Sequence, residues 1–210
     1  MGRSEPERII EAKKEAFVRR TRKYRDLGYD RHAAARFVAG LIRQAEGPAL
    51  DIGTGKGLLA VSLAEHFPEV VSIDVSTEDT ELAVLLAEES SVLARISFLT
   101  CDASRVPFPD SHFGCIAMMD VLHHLLEGAP VLKEVRRTLQ PGGTLVVADF
   151  TLEGFDLIAR VHREDGREHP VGPVTLDWAS TWLQGEGLVR VSETTKHLQR
   201  AIVFSKAGTP

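Results

Sequence analysis

Residues Asp51–Gly57 read DIGTGKG, with an acid at the start and a glycine at every second position after it. The apolar run at 49–52 predicts a short buried strand before the three glycines, and residues 58–67 predict a helix after them. In an open α/β sheet, ligands bind beyond the carboxyl ends of the strands. Glycine lets the backbone turn tightly there, and the helix that follows offers unpaired N–H groups. The sequence therefore predicts a ligand-binding loop at this turn.

The glycine spacing indicates which ligand suits the loop. A dinucleotide loop needs G-x-G-x-x-G, but the place of its third glycine, counted from Gly53, is taken by Leu58. A Walker loop needs Gly-Lys-Ser/Thr, whereas Gly57 follows Lys56 here. The Asp51 carboxylate would repel a pyrophosphate. It suits a ligand with positive charge, such as the sulfonium and ammonium groups of S-adenosylmethionine (SAM).

Strands and helices alternate downstream of the loop. Further strands are predicted at 70–75, 95–101, 113–119 and 144–150, with helices from about 77 to 90 and at 129–139. Continuously apolar strands separated by helices imply a parallel sheet that is covered on both faces. After a helix near 175–184, segments 188–193 and 201–205 predict an antiparallel hairpin with a short link around Lys196. The predicted fold class is α/β, Rossmann-like, with a mostly parallel seven-stranded sheet and a C-terminal hairpin.

Two amphipathic helices are predicted before the first strand, at 7–25 and 31–45. They are not needed to build the sheet, so their apolar faces must be buried elsewhere. We expect them to cover the carboxyl ends of the strands and to exclude water. The predicted division is an N-terminal helical lid at 1–45 and a ligand-binding domain at 46–210.

Acids follow two further strands. Asp74 ends the second predicted strand, about 20 residues after the glycine loop, where a carboxylate can accept hydrogen bonds from ribose hydroxyls. Asp102 follows the third strand, where it could accept a hydrogen bond from an adenine amine. Each acid alone could be a cap or a turn residue. Together with Asp51, they place acids at three successive strand ends.

An ordered set of segments resembles the class I SAM-dependent methyltransferases, most closely the small-molecule branch that includes ubiquinone/menaquinone methyltransferases. The resemblance covers about 48–150 and is carried by Ala49–Gly57, Ser72–Ser76, Thr100–Ala103, Pro107–Phe113, Val121–Leu125 and Leu139–Gly143. Two departures are Gly114, where these proteins usually carry Asp, and Lys56, where a small residue is common. A third is the short region between Phe150 and Thr175, which puts a large lipid acceptor in doubt.

The resemblance implies a SAM site and S-adenosylhomocysteine (SAH) as product. The methionine part of SAM would lie against Asp51 and the loop glycines, and the ribose against Asp74. The full implied cofactor set is Asp51, Gly53, Gly55, Gly57, Asp74, Val75, Asp102, Ala103 and Met118.

The acceptor side is less defined. His123 and His124 follow the fourth strand, and either could act as a base or serve only packing. Asp120 precedes them and is a further substrate-side candidate. Tyr29 resembles the Tyr of a Tyr-Asp pair that borders SAM in these enzymes, and Arg25 could pair with a carboxylate.

A small polar cluster lies at His162, Glu164, Glu168 and His169. A metal site needs convergent ligands. The segment 163–168 mixes both signs of charge, which favours an exposed loop. We therefore predict no metal site, and leave open whether this loop contacts substrate.

Composition limits the partners. The net charge of −5 argues against nucleic acid, although basic residues between Lys13 and Arg25 leave an RNA substrate possible. The two cysteines form no C-x-x-C pair, and no apolar run reaches the length of a membrane span, so a cytoplasmic protein with free thiols is expected. Either a monomer or a homodimer fits.

The functional prediction is a methyltransferase with an unidentified, small-molecule acceptor. The alternatives are a SAM-binding protein without turnover and a methyltransferase acting on RNA or protein. A nicotinamide dehydrogenase is disfavoured by the glycine spacing.

Overall fold

A computed structural model describes residues 5–42 and 46–208. The helices of this part of the chain are α1 (Glu5–Asp26), α2 (Arg31–Ala39), α3 (Leu58–Ala64), α4 (Thr80–Glu89), α5 (Gly128–Thr138), α6 (Leu152–Glu164) and α7 (Leu176–Gly185). The strands are β1 (Ala49–Ile52), β2 (Val70–Asp74), β3 (Ile96–Thr100), β4 (Phe113–Met119), β5 (Leu139–Phe150), β6 (Leu188–Lys196) and β7 (Gln199–Lys206). Short 3-10 turns cover Leu93–Arg95 and Leu122–His124.

The strands form one seven-stranded sheet in the order β3-β2-β1-β4-β5-β7-β6. The first five strands in this order are parallel, and β7 runs antiparallel to both β5 and β6. The strand order reverses between β1 and β4, which are direct neighbours in the sheet. The loops after these strands diverge and leave a crevice at the carboxyl edge. The predicted fold class is confirmed.

Alternating side chains of the sheet fill two cores. Leu50, Ile116 and Leu145 point to the face that α5 and α7 cover. Cys115 and Val146 point to the opposite face, which is covered mainly by α2 and α3. Burial on both faces explains why these strands are continuously apolar in the sequence.

The N-terminal helices pack at the rim of the sheet. Tyr24 of α1 and Tyr29 meet Ile158 and Val161 of α6 in a small apolar cluster. Ion pairs hold the rest of α1, because its basic residues face acids of α4 and of the end of α6. These pairs are Lys13–Glu81, Lys14–Glu89, Arg20–Asp165, Lys23–Glu164 and Lys23–Asp165. Much of the basic N-terminal charge is thus neutralised within the protein.

Helix α6 was not predicted from the sequence. It begins at a helix cap, where Thr151 Oγ1 accepts a hydrogen bond from the Gly154 N–H at 3.1 Å. Ile158 and Val161 are buried on one of its faces. The charged residues at 163–168 masked this periodicity.

Several boundaries differ from the predictions by a few residues, and two of these differences are larger. Helix α2 ends at Ala39 with Gly40 as its cap, earlier than predicted, and residues 43–45 lie outside the described part of the chain. Strand β5 begins at Leu139 and not at 144, because Leu139 pairs with Phe113 across a register shift. Gly114 lies in that shift, where a Cβ would come 1.7 Å from the Glu46 carbonyl oxygen, so this departure from the family pattern has a steric reason.

Within residues 5–42 and 46–208, no helix combines the length and apolar character that a bilayer crossing requires. Cys115 is buried and Cys101 is half-buried, and both are free thiols.

Candidate active site

A cavity of about 720 Å³ opens at the carboxyl edge of the sheet. Its floor is formed by the loops that follow β1, β2, β3 and β4, and one wall is formed by α1. This volume lies within the range of about 300–1,000 Å³ that is usual for small-molecule sites. The topology predicted a site at this place, because the strand order reverses here.

The glycine loop forms one side of the floor. Gly53, Gly55 and Gly57 have φ angles of +89°, +47° and +81°, a region that favours glycine. A Cβ at Gly53 would lie 2.4 Å from Val121, and one at Gly57 would lie 2.8 Å from Ala83. A Cβ at Gly55 would lie 4.0 Å from the Gly53 carbonyl oxygen, so this backbone has open space beside the cavity. The loop therefore presents bare backbone to a ligand.

Asp74 ties this loop to the next one. Its Oδ2 accepts a hydrogen bond from the Gly55 N–H at 2.9 Å, and its Oδ1 accepts one from the Ser76 N–H at 3.0 Å. The side chain also lines the cavity. A carboxylate in this place has remaining lone pairs for the hydroxyl groups of a ligand.

Asp51 lies beneath the loop and is fully buried. Its Oδ2 accepts a hydrogen bond from Ser72 Oγ at 2.7 Å, while its Oδ1 has no hydrogen-bond partner. Burial raises the pKa of the Asp51 carboxyl to about 7, and the nearby Asp74 carboxylate adds to this rise. A cationic ligand group near the loop would relieve this cost, so the unpartnered oxygen fits the positive charge of SAM.

The far end of the floor carries Asp102, Ala103 and Val75. Asp102 Oδ1 accepts a hydrogen bond from the Ser104 N–H at 2.8 Å, and hydrogen bonding to Ser104 lowers the pKa of Asp102. Val75 is 72% exposed and lines the cavity, which provides an apolar surface for a flat ring.

A polar network forms the side of the cavity below α1. Gln199 donates hydrogen bonds to Tyr29 Oη at 3.1 Å and to Asp120 Oδ1 at 2.8 Å. Asp120 has a φ of +58°, a strained conformation for a residue with a side chain. Desolvation, together with repulsion from Asp149, raises the pKa of Asp120 to about 7. Burial and the Asp120 charge raise the pKa of Tyr29 well above its usual value, so this phenol stays protonated.

The histidines lie beside this network. His123 is buried, and its Nδ1 lies 2.6 Å from Oδ1 of the buried Asp149. Burial, followed by repulsion from the other histidines, lowers the pKa of His169 to about 4. Burial and the His123 ring also lower the pKa of His124. A lowered pKa favours the neutral imidazole, which offers one nitrogen lone pair to a ligand.

Comparison with known proteins identifies the family. Residues 50–147 match the methyltransferase domain family. A 27-O-demethylrifamycin SV methyltransferase from Amycolatopsis mediterranei is 33% identical over 144 residues, 66% of this chain and 53% of that protein. The ubiquinone/menaquinone biosynthesis C-methyltransferase UbiE from Geotalea daltonii is 32% identical over 131 residues, 60% of this chain and 56% of that protein. The chain carries a class I SAM-dependent methyltransferase domain.

The solved structure of the cyclase SpnF has a TM-score of 0.68 to this chain at 18% identity, covering 85% of this chain and 81% of that chain. This likeness shows the fold alone. The chain spans about half the length of the curated relatives it matches. For the domain, the predicted family, its small-molecule branch, the enzyme class and the SAM cofactor are confirmed.

The structure places most of the predicted site residues along the cavity. Those that line it are Gly53, Gly55, Asp74, Val75, Asp102, Ala103, Tyr29, Asp120, His123 and His124. Asp51 and Gly57 support the loop from below and do not line the cavity. Met118 is completely buried in the core, and its neighbour Met119 lines the cavity, because alternate residues of a strand face opposite sides. Arg25 also lies outside the lining.

Sequence reasoning missed several residues. Asp149 lies near the carboxyl end of β5, a position that parallels Asp74 in β2, and this signal was available. Gln199 reaches the site from β7 and gave no local signal. The predicted polar cluster is split: His162 and His169 line the cavity, while Glu164 pairs with Lys23 outside it.

Proposed function

We propose that this protein transfers the methyl group of SAM to a small-molecule acceptor in the cavity. The observation that carries the proposal is that one cavity combines two features. The glycine loop and Asp74 suit the donor, and a separate polar wall at Asp120 and the histidines suits an acceptor. The family match concerns the domain, whereas methyl transfer is proposed here for the whole protein.

The donor half would hold SAM as the family resemblance implies. Gly53 and Gly55 would contact the methionine part, and the charge of the buried Asp51 beneath them would attract its ammonium group. Asp74, which already accepts the Gly55 N–H, would accept ribose hydroxyls. Val75 and the Asp102–Ala103 segment would contact the adenine.

Bound SAM supplies an activated methyl group on its sulfonium. The acceptor would take this methyl group through a lone pair, and SAH would leave with the electrons of the broken carbon–sulfur bond. The protein has to align the acceptor and exclude water. Phe17 and Tyr24 of α1 line the cavity and provide apolar cover.

Asp120 is our candidate for the proton acceptor. Its strained backbone and its hydrogen bond to Gln199 hold the carboxylate at the cavity wall. A pKa near 7 suits a general base at neutral pH. An acceptor that is already deprotonated would not need this residue, and His123 and His124 remain alternative bases.

We also propose that residues 1–45 act as a lid. Lys13, Phe17, Arg20 and Tyr24 of α1 line the cavity, so this helix contributes a wall of the site. Deleting residues 1–28 is expected to leave a folded domain with weakened SAM binding and little transfer. Light scattering on both forms separates this from a dimer interface: a full-length dimer that becomes an active monomer would contradict the lid.

Calorimetric titration tests the donor class. SAM and SAH are expected to bind with micromolar-range affinity, and NAD is not expected to bind. Asp74→Ala should weaken SAM binding, while Asp156→Ala on the exposed side of α6 serves as a matched control. Binding of NAD without SAM or SAH would refute the proposal.

Turnover is tested separately, by measuring SAH release in the presence of candidate small acceptors. Asp120→Asn should lower kcat while the dissociation constant for SAM stays within a few-fold. SAM binding without SAH release from any acceptor class, including RNA and protein, would favour the alternative of a binding protein without turnover.

A further inference from the structure

Three imidazole rings converge on one side of the cavity. His123 and His124 belong to the 3-10 turn after β4, and His169 lies in the segment between α6 and α7. The ring centroid of His123 is 4.1 Å from that of His124 and 5.1 Å from that of His169. One nitrogen from each ring can be chosen so that all three atoms lie within 4.8 Å of one another. Residues distant in sequence are thus brought to a common point.

Two nitrogens of this cluster lack hydrogen-bond partners. Nε2 of His123 and Nε2 of His169 are both enclosed, and neither has a hydrogen-bond partner. The His123 side chain is only 2% exposed. An enclosed polar atom without a partner is energetically costly, so two such atoms in one cluster indicate a missing ligand.

Asp149 orients the central histidine. Its Oδ1 lies 2.6 Å from His123 Nδ1, and the same carboxylate accepts hydrogen bonds from the backbone N–H groups of His123 and Phe150. In the neutral tautomer that donates Nδ1–H to this carboxylate, the lone pair lies on Nε2. Carboxylate–histidine pairs of this kind hold the imidazole ligands of metal ions in place.

We propose that His123, His124 and His169 bind a divalent transition-metal ion, with Asp149 as the positioning residue behind His123. Three imidazoles suit zinc, cobalt, nickel or ferrous iron, whereas magnesium and calcium prefer oxygen ligands. Metal–nitrogen bonds of about 2.0–2.1 Å require the three nitrogens to approach more closely than 4.8 Å, which small side-chain rotations would provide.

Three protein ligands leave at least one coordination position open. His123, His124 and His169 all line the cavity that contains the glycine loop, so the open position faces the space for the acceptor. Resting on the proposed function, this assigns an acceptor class: a molecule with an anionic oxygen or sulfur that coordinates the ion. The metal site itself does not depend on methyl transfer.

The test uses the full chain without an affinity tag, stripped of metal with a chelator. Titration with Co²⁺ alone, followed by visible absorption, and with Zn²⁺ alone, followed by calorimetry, should show one ion per chain. His169→Ala and His124→Ala should each weaken binding by at least about 100-fold, and Asp149→Asn by about 10–100-fold. The matched control is His66→Asn, an exposed histidine after α3.

His124 is exposed, so His124→Ala keeps the test valid if changes at the more buried positions prevent folding. Circular dichroism and SAM titration on each variant separate failure of the metal site from failure of the proposed function. The proposal is overturned if the wild-type protein binds neither ion. It is also overturned if His169→Ala and His124→Ala bind as the wild type does, or if His66→Asn weakens binding equally.

Discussion

The buried carboxyl of Asp51 should make the free energy of unfolding depend on pH by an amount that can be calculated. Its pKa is about 7 in the folded protein, against an ordinary value of 3.8. As pH rises, the unfolded state loses this proton first, so between pH 4 and 7 the folded state binds more protons and stability falls. At about 1.36 kcal/mol for each pKa unit, the cost approaches ~4 kcal/mol above pH 7 and is only ~2 kcal/mol at pH 5.

Asp51→Asn removes the charge and keeps an acceptor for Ser72 Oγ. Its amide also leaves one buried group without a partner, which costs about 1–3 kcal/mol at every pH. The pH-independent cost cancels when two pH values are compared. The stability of Asp51→Asn relative to wild type should therefore increase by about 3 kcal/mol from pH 5 to pH 8.

Urea denaturation of both proteins at the two pH values, with linear extrapolation, measures this change. Asp120 titrates in both proteins and its effect is expected to cancel. Asp51→Asn should at the same time bind SAM more weakly, because no charge remains to attract the ammonium group. A relative stability that is the same at pH 5 and pH 8 would refute the assignment of a costly buried charge to Asp51.

Three other predictions follow from the loops and from α1. Asp74→Ala should weaken SAM binding by about 1–3 kcal/mol, measured by calorimetry, and an unchanged dissociation constant would leave Asp74 with a purely structural role. Gly57→Ala should lower the free energy of unfolding by about 1–3 kcal/mol more than Gly142→Ala, since both glycines have positive φ but only Gly57 would place a Cβ 2.8 Å from Ala83. Raising NaCl from about 0.1 M to about 1 M should speed SAM release in stopped-flow measurements by screening the ion pairs of α1. The double variant Lys14→Met, Lys23→Met should release SAM fast at both salt concentrations, and retention of a full salt effect in it would contradict this role of α1.

The donor half of the site could be predicted from sequence because its parts are local. The glycine loop follows its strand directly, and Asp74 and Asp102 follow the next two strands, so alternation alone places these residues at one edge. Parallel strands bring their carboxyl ends together whatever the loops between them contain. This explains why the order of the motifs carried more information than any single motif.

The acceptor half could not be read in the same way, because it is assembled over long sequence separations. Gln199 contacts Tyr29 across 170 positions, and the hydrophobic periodicity of a sequence does not predict a contact of such long range. From sequence, His169 was grouped with the charged residues that precede it, because helix α6 was not predicted. The sequence therefore did not show that His169 reaches the cavity. Met118 and Met119 show that strand positions must be predicted to the exact residue. An error of one position in a strand assigns a core side chain to the cavity.

The strand order has a consequence for the synthesis of the protein. Strand β7 comes after β6 in the sequence, yet it is inserted between β5 and β6 in the sheet. A nascent chain that has emerged from the ribosome only as far as β6 therefore has no partner for that strand, and β5 keeps an open edge. The same strand brings Gln199 to Tyr29 and Asp120. A product truncated before β7 would retain the whole glycine loop but would lack Gln199, which holds Tyr29 and Asp120 in place, and its open sheet edge would make it a ready target for proteolysis.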